Sequence, residues 1–191
     1  MSTITIFGNG NMGGAIAGVL ARGGASIQHI VSGDTDATIE GDLVVLAVPY
    51  GALETIAATY GEQLTGKTVV DITNPLNFET FDSLVVPVGS SAAAELQKAL
   101  PGARVLKAFN TNFAATLAAG TVRTEKTTVL VAGDDADAKA ALINAVTAGG
   151  LAALDAGALA RAHELEAIGF LQLTLAASEK TSWTAGFAVV R

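Results

Sequence analysis

The stretch Ile4-Thr-Ile-Phe-Gly8-Asn-Gly10-Asn-Met-Gly13-Gly14 decides how this chain is read. A short apolar run breaks into Gly8-x-Gly10-x-x-Gly13, and Ala15, Ile16, Val19 and Leu20 then recur at helical spacing. Strand, glycine turn and helix in that order are the context in which this spacing signals dinucleotide binding. Gly8 permits the tight turn off the strand, Gly10 lets backbone approach a pyrophosphate, and Gly13 lets the helix pack close to the sheet. The helix N-terminus adds unpaired N–H groups and a partial positive charge. An ordinary tight strand-to-helix turn is the alternative reading of the same residues.

The composition suits one domain with a large core: 191 residues, half of them apolar and only 15% charged. A net charge of -7 argues against nucleic acid as a partner. The chain has no cysteine, which excludes disulfides, thiolate chemistry and Cys-ligated metals. His29 and His163 lie far apart, so no metal site is expected. The uncharged run Met1–Ala21 lacks a basic leader region and is broken by Asn9, Asn11 and several glycines, so it is not read as a signal peptide. No other stretch suggests a membrane span. The expectation is a cytoplasmic protein with no membrane partner.

Strand and helix patterns alternate along the chain. Strands are expected at Thr3–Phe7, Ser26–Val31, Leu43–Val48, Thr68–Ile72, Arg104–Phe109, Thr127–Val131 and Leu151–Leu154. Continuous runs such as Leu43-Val-Val-Leu-Ala-Val48 suit strands buried on both faces of a parallel sheet. Helices are expected at Asn11–Arg22, Gly51–Tyr60, Ser90–Leu100, Asn112–Ala118, Asp134–Ala148 and near Ala158–Ser178. Right-handed crossovers then predict an α/β fold: a Rossmann-type, doubly wound, mainly parallel sheet with a C-terminal helical extension. Residues 1–191 are read as one dinucleotide-binding domain, with 155–191 as that extension. Only eleven residues separate Val31 from Leu43, so at most a turn of helix near Asp36–Glu40, or an open loop, is expected there. The long loop after Pro75 carries Phe78 and Phe81, and is read either as one wall of an acceptor pocket or as a packed cover on the sheet.

Leu165–Ala177 is apolar on nearly every side of a helix. A helix apolar all round is buried all round. One face packs on its own sheet; the other predicts a homodimer, unless the helix is buried wholly within its own chain.

The glycine fingerprint, Asp42-Leu-Val-Val-Leu-Ala-Val-Pro-Tyr50, Lys107-Ala-Phe-Asn-Thr111, Val129-Leu-Val-Ala-Gly-Asp-Asp135, Leu154-Asp-Ala-Gly-Ala-Leu159 and Arg161-Ala-His-Glu-Leu-Glu166 follow one another through the chain. Together they resemble the deazaflavin-dependent NADP oxidoreductases and their short bacterial relatives. The cytoplasmic domain of the transmembrane ferric reductases is a more distant likeness. The resemblance implies a Rossmann fold, an NADP(H) site and a dimer built partly with the C-terminal region. It places Gly8, Asn9, Gly10, Asn11 and Met12 around the pyrophosphate. Ala47, Val48 and Pro49 would flank the cofactor, Asn74 and Pro75 would line its channel, and Ala108, Phe109 and Asn110 would sit near the nicotinamide.

Cofactor choice falls to Ser32-Gly33-Asp34, after the second strand. The family's NADP pattern is Ser followed by a cation; Ser32 matches it, and Gly33 offers a backbone N–H in the cation's place. Asp34 is the kind of residue that holds the ribose hydroxyls of NAD. NADP is the expected cofactor, with NAD as the alternative. Hydride transfer from a nicotinamide to a flavin-like ring needs orientation and water exclusion rather than an obligatory side-chain acid. No catalytic residue is therefore assigned, although Tyr50 is the most plausible polar group near the nicotinamide. The expected activity is NADP(H)-dependent oxidoreduction with a flavin-like or other small redox acceptor. A non-catalytic NAD(P)-binding module or redox sensor is the alternative.

Overall fold

A computed structural model of the chain describes residues 2–34 and 36–190. Strands run over β1 (Thr3–Phe7), β2 (Ser26–Ile30), β3 (Leu43–Leu46), β4 (Thr68–Asp71), β5 (Arg104–Lys107), β6 (Thr121–Val122), β7 (Glu125–Lys126), β8 (Thr128–Gly133) and β9 (Ala152–Gly157). Helices are α1 (Asn11–Arg22), α2 (Leu53–Leu64), α3 (Ala92–Ala99), α4 (Ala114–Ala119), α5 (Ala136–Ala148) and α6 (Ala162–Ala177). Seven strands form one sheet in the order β2-β1-β3-β4-β5-β8-β9. The first five are parallel; β8 runs antiparallel to β5 and parallel to β9.

This is the expected Rossmann-type α/β sheet, with α6 as the C-terminal helix. Both faces of the central strands are covered, which is why they are apolar without alternation. Ile6, Val45, Val70 and Leu106 face one core with Ile16, Leu20, Leu117 and Leu142 from α1, α4 and α5. Phe7, Val44, Val69 and Val105 face the other with Leu53, Tyr60, Leu64 and Leu96 from α2 and α3.

The chain places β2 on one side of β1 and β3 on the other. The resulting switch point opens a crevice beyond the carboxyl ends of β1 and β3, where open α/β sheets bind ligands. The connection from β2 to β3 holds no helix among its described residues. It is fastened instead by Gln28 Nε2 to the Thr38 carbonyl at 2.8 Å and by Ile39 N–H to Gln63 Oε1 at 2.9 Å.

Several strands stop earlier than their apolar runs predict. β3 ends at Leu46, β4 at Asp71 and β5 at Lys107. The residues that follow leave the sheet at its ligand-facing end. Phe109 leaves most sharply: it is fully buried with φ at 63°, a left-handed conformation unusual for a bulky side chain. That turn sends its ring into the core and the next residues toward the crevice.

The last helix reverses a simple expectation. Its inward residues are Ala162, Leu165, Glu166, Gly169, Gln172 and Ala176. Ile168 and Leu171 remain 36% and 52% exposed. The helix is therefore not wholly buried within its own chain. No helix among the described residues is long and apolar enough to cross a membrane.

Candidate functional site

Two cavities open at the carboxyl end of the sheet and meet at the glycine turn. The first, about 520 Å³, is lined by Gly8, Asn9, Gly10, Ser32, Asp34, Ala47, Val48 and Pro49, with Thr55, Thr59 and Tyr60 behind them. The second, about 950 Å³, is lined by Asn9, Gly10, Asn11, Met12, Ile72, Asn74, Asn110 and Asn112, and by Phe113, Leu173 and Trp183. Asn9 and Gly10 belong to both.

The turn between them is built by close backbone approach. Gly8 has φ +94°, and its N–H donates to the Ile30 carbonyl at 2.8 Å. A Cβ on Gly8 would overlap the Ala47 carbonyl oxygen. A Cβ on Gly13 would stand 2.5 Å from the Gly8 carbonyl oxygen. Gly10 is different: a Cβ there meets nothing within 4 Å. Its lack of a side chain leaves a cradle open rather than relieving a contact inside the fold. Gly10 is also the N-cap of α1 and supplies no side-chain cap, so the first-turn N–H groups remain available to an anion. His29 lies 3.0 Å through Nδ1 from the Gly8 carbonyl. With the proton on Nδ1 it donates there and braces the turn from the neighbouring strand.

Beyond β2, Ser32 and Asp34 line the first cavity, and Gly33 lies exposed between them without lining it. The Asp34 carboxylate accepts from Val31 N–H at 2.9 Å, so it is folded onto its own turn while still facing the cavity. The Asp34 carbonyl accepts from the Tyr60 hydroxyl at 2.5 Å, which fixes the loop against α2.

On the far side, Asn74 and Asn110 grip each other. Asn74 Nδ2 donates to the Asn110 carbonyl, and Asn110 Nδ2 donates to Asn74 Oδ1, both at 2.8 Å. Asn110 Nδ2 also reaches the Leu165 carbonyl on α6 at 2.8 Å. Gly169 has no side chain because the Asn74 amide occupies the place a Cβ would take. Pro75, Ala108 and Phe109 line neither cavity; they are buried behind this wall. Asn110 Oδ1 and Asn112 Oδ1 are buried and have no hydrogen-bond partner among the described residues.

Under the wall lies a charged cluster that the sequence did not reveal. Lys107 Nζ sits 2.8 Å from Asp71 Oδ2, 2.7 Å from Glu166 Oε1 and 2.5 Å from the Thr73 carbonyl. All three charged side chains are at most 1% exposed. Glu166 Oε2 also accepts from Ala92 N–H at 2.9 Å, at the start of α3. Two carboxylates thus share one buried ammonium. Burial holds the Glu166 carboxyl above its ordinary range; Lys107 draws it back and the Asp71 charge raises it further. The cluster joins β4, β5, α3 and α6; none of its three charged residues lines the second cavity, and Lys107 holds the Thr73 carbonyl next to Asn74 in the wall.

Two expectations change. Tyr50 lines neither cavity but a separate hollow of about 400 Å³ with Glu54, Pro87 and Glu95. Burial, then the Glu95 charge, raises its hydroxyl pKa, so it is a neutral phenol there. The loop carrying Phe78 and Phe81 does not wall the second cavity. Those rings stack edge-on at 5.7 Å, Phe78 is 59% exposed, and the loop closes on itself through Val85 N–H to the Pro75 carbonyl. The aromatic wall comes instead from Phe113 and Trp183, whose rings lie 5.3 Å apart. Trp183 lies beyond α6, in a tail tied back by Phe187 N–H to Gln172 Oε1 at 3.1 Å. No periodic signal in the sequence marks that return.

No protein-family model matches the chain. It is 31% identical over 170 residues to an F420-dependent NADP reductase of Methanocaldococcus jannaschii, which covers 87% of this chain and 76% of that protein. It is 38% identical over 107 residues to the metalloreductase STEAP3 of Rattus norvegicus, covering 56% of this chain but 21% of that protein. Among solved structures, a candidate F420-dependent NADP reductase from Arthrobacter sp. FB24 superposes with a TM-score of 0.86 over 100% of both chains, at 23% identity.

Proposed function

The chain belongs to the F420-dependent NADP reductase family, and from that premise we propose that it moves hydride between NADP(H) and a flavin-like or other small redox acceptor. The observation that carries the proposal is the meeting of two cavities at Asn9 and Gly10, with an open cradle at Gly10 between them. A dinucleotide is two nucleotides joined by a pyrophosphate. The first cavity suits the adenosine half, the α1 N-terminus the pyrophosphate, and the second the nicotinamide half.

Bound in this way, the nicotinamide supplies or accepts the hydride. The chain's own residues hold and shield it. Met12 and Ile72 offer apolar surface, the Asn74–Asn110 pair presents fixed amides, and Phe113, Leu173 and Trp183 limit water. Orientation and exclusion of water suffice for such a transfer. Ser32, which lines the first cavity, would meet the 2′-phosphate of NADP, and the Asp34 charge would oppose it. NADP is the proposed cofactor and NAD the second choice.

The same proposal treats residues 1–191 as one dinucleotide-binding domain, with 155–191 as the extension that closes the second cavity. It pairs two copies through the outer face of α6, where Ile168 and Leu171 are exposed. A cytoplasmic setting fits this chemistry.

The test is absorbance loss from NADPH in the presence of flavins, a deazaflavin, quinones and ferric chelates, together with a binding titration of NADPH against NADH. Turnover with at least one acceptor, and tighter NADPH binding, are the expected results. Cofactor binding without turnover across the panel would leave a nucleotide-binding module instead.

A further inference from the structure

We propose that Lys107, Asp71 and Glu166 are positioning residues for the nicotinamide half of the cofactor. Through Thr73 and Leu165 they set where the Asn74–Asn110 amide pair stands in the second cavity. This rests on the oxidoreductase assignment above and adds to it three side chains that line neither cavity. For stability alone, well-packed apolar side chains of similar volume serve as well as a buried ion cluster. What apolar side chains cannot do is hold polar backbone at fixed points, and that is where the contacts of this cluster go.

They close first on Thr73. Asp71 Oδ1 accepts from its N–H at 2.8 Å, and Lys107 Nζ, 2.8 Å from Asp71 Oδ2, donates to its carbonyl at 2.5 Å. One ion pair thus grips both backbone polar groups of the residue before Asn74. Hydrogen bonds with a charged partner are about twice as strong as neutral ones. Glu166 carries the grip to α6. Its Oε1 lies 2.7 Å from Lys107 Nζ, and its Oε2 accepts from Ala92 N–H at 2.9 Å. The residue before it, Leu165, offers its carbonyl to Asn110 Nδ2 at 2.8 Å. Further along the same helix, Gly169 leaves the place of a Cβ to the Asn74 amide. Each amide of the wall is therefore referred back to the same ammonium, Asn74 through Thr73 and Asn110 through α6. None of Thr73, Asn74, Asn110 and Leu165 lines the first cavity. Loosening the cluster disturbs the nicotinamide half and spares the adenosine half. A displacement of about 1 Å, caused by a change remote from the reacting atoms, is enough to lower a rate about a hundredfold.

Three variants test this. Lys107→Met removes the donor to Thr73. Glu166→Ala keeps the Lys107–Asp71 pair and cuts the tie to α6, and Glu166→Gln retains an acceptor at that place. NADPH and adenosine 2′,5′-bisphosphate, which is the adenosine half alone, are titrated by calorimetry well below the melting of each variant. The NADPH Kd should rise about tenfold in Lys107→Met and about fivefold in Glu166→Ala, the size of one or two lost hydrogen bonds. The bisphosphate Kd should stay within about twofold of the parent in both, and Glu166→Gln should return most of the NADPH affinity. At saturating NADPH, kcat with riboflavin as acceptor should fall about tenfold to a hundredfold in Lys107→Met. A role in stability alone moves both ligands together, through the folded fraction, and leaves kcat per folded molecule unchanged. Equal loss of the two ligands, or no loss of either, overturns the proposal; if Lys107→Met does not fold, the Glu166 pair decides. Selective loss of NADPH with no turnover by the parent upholds the positioning role and defeats the oxidoreductase assignment. Turnover by the parent with equal loss of both ligands in the variants does the reverse.

Discussion

Replacing Lys107 by Met strands two buried carboxylates. Lys107 Nζ contacts Asp71 and Glu166 at 2.8 and 2.7 Å with all three side chains out of water. Removing one partner of a buried ion pair costs about 3–5 kcal/mol. Here a single change unpairs two anions, so the upper part of that range, about 4–5 kcal/mol, is expected. For a chain of this size each kcal/mol lowers Tm by about 2–4 °C, so the variant should melt about 8–20 °C below the parent near pH 7. Thermal unfolding followed by circular dichroism measures this directly.

The pH dependence is a second readout. Glu166 has its folded-state pKa raised from an ordinary value of 4.5, first by burial. A carboxyl raised in the folded state binds more protons there than in the unfolded chain. Its stabilising contribution is complete below 4.5 and is lost as pH rises through the folded value. Without Lys107 to draw it down, Glu166 protonates at higher pH still, so the penalty should be smaller near pH 5 than near pH 7. Glu166→Gln retains an acceptor for Ala92 N–H and removes the excess negative charge, so it should cost only about 1 kcal/mol. A Lys107→Met loss under about 2 °C, an equal loss at both pH values, or an equal loss in Glu166→Gln would refute the charge argument.

Gly10→Ala should leave Tm nearly unchanged, because its methyl meets no neighbour, yet weaken NADPH binding about tenfold or more by filling the pyrophosphate cradle. Gly13→Ala drives a Cβ to 2.5 Å from the Gly8 carbonyl oxygen and should cost about 1–3 kcal/mol of stability as well; parallel melting and titration of the pair separate the two effects. Asp34→Asn keeps an acceptor for Val31 N–H and removes a charge worth about 1 kcal/mol at close range in water. NADPH affinity should rise about fivefold while NADH affinity stays level in calorimetry. Leu171→Glu on the outer face of α6 should convert a dimer to monomer in sedimentation with unchanged circular dichroism; a parent that sediments as monomer at micromolar concentration removes the dimer from the proposal.

Local pattern was enough wherever the physics is local. β1 and α1 occupy Thr3–Phe7 and Asn11–Arg22, the bounds their apolar run, glycines and helical spacing predict. The glycine turn was legible because each glycine answers a backbone requirement within a few residues, or against the strand beside it. Buried parallel strands were legible as unbroken Val, Ile and Leu runs, though the same runs could not say where the chain leaves the sheet. β3, β4 and β5 end early because residues beyond them turn toward the crevice, a choice made by the neighbouring strands and by the left-handed turn at Phe109.

What the tertiary structure alone decided lies in contacts between segments distant in sequence. The antiparallel placement of β8, the small β6–β7 hairpin and the return of Trp183 onto Phe113 leave no periodic mark. Lys107 reads in isolation as a charge near a strand end; only the fold brings Asp71 and Glu166 to it. α6 shows the division most plainly. Its residues identify a helix that must be covered on several sides, but not which side faces home. The fold turns Glu166, Gly169 and Gln172 inward, to meet Lys107, Asn74 and the tail at Phe187, and leaves Ile168 and Leu171 outside. A buried lysine and an amide wall needed partners, and those needs outweighed the apolar surface of two side chains. The glycine turn leaves an open cradle at the start of α1, the place proposed for a pyrophosphate; the docking of α6 and its tail decides the shape and charge of the chamber beside it.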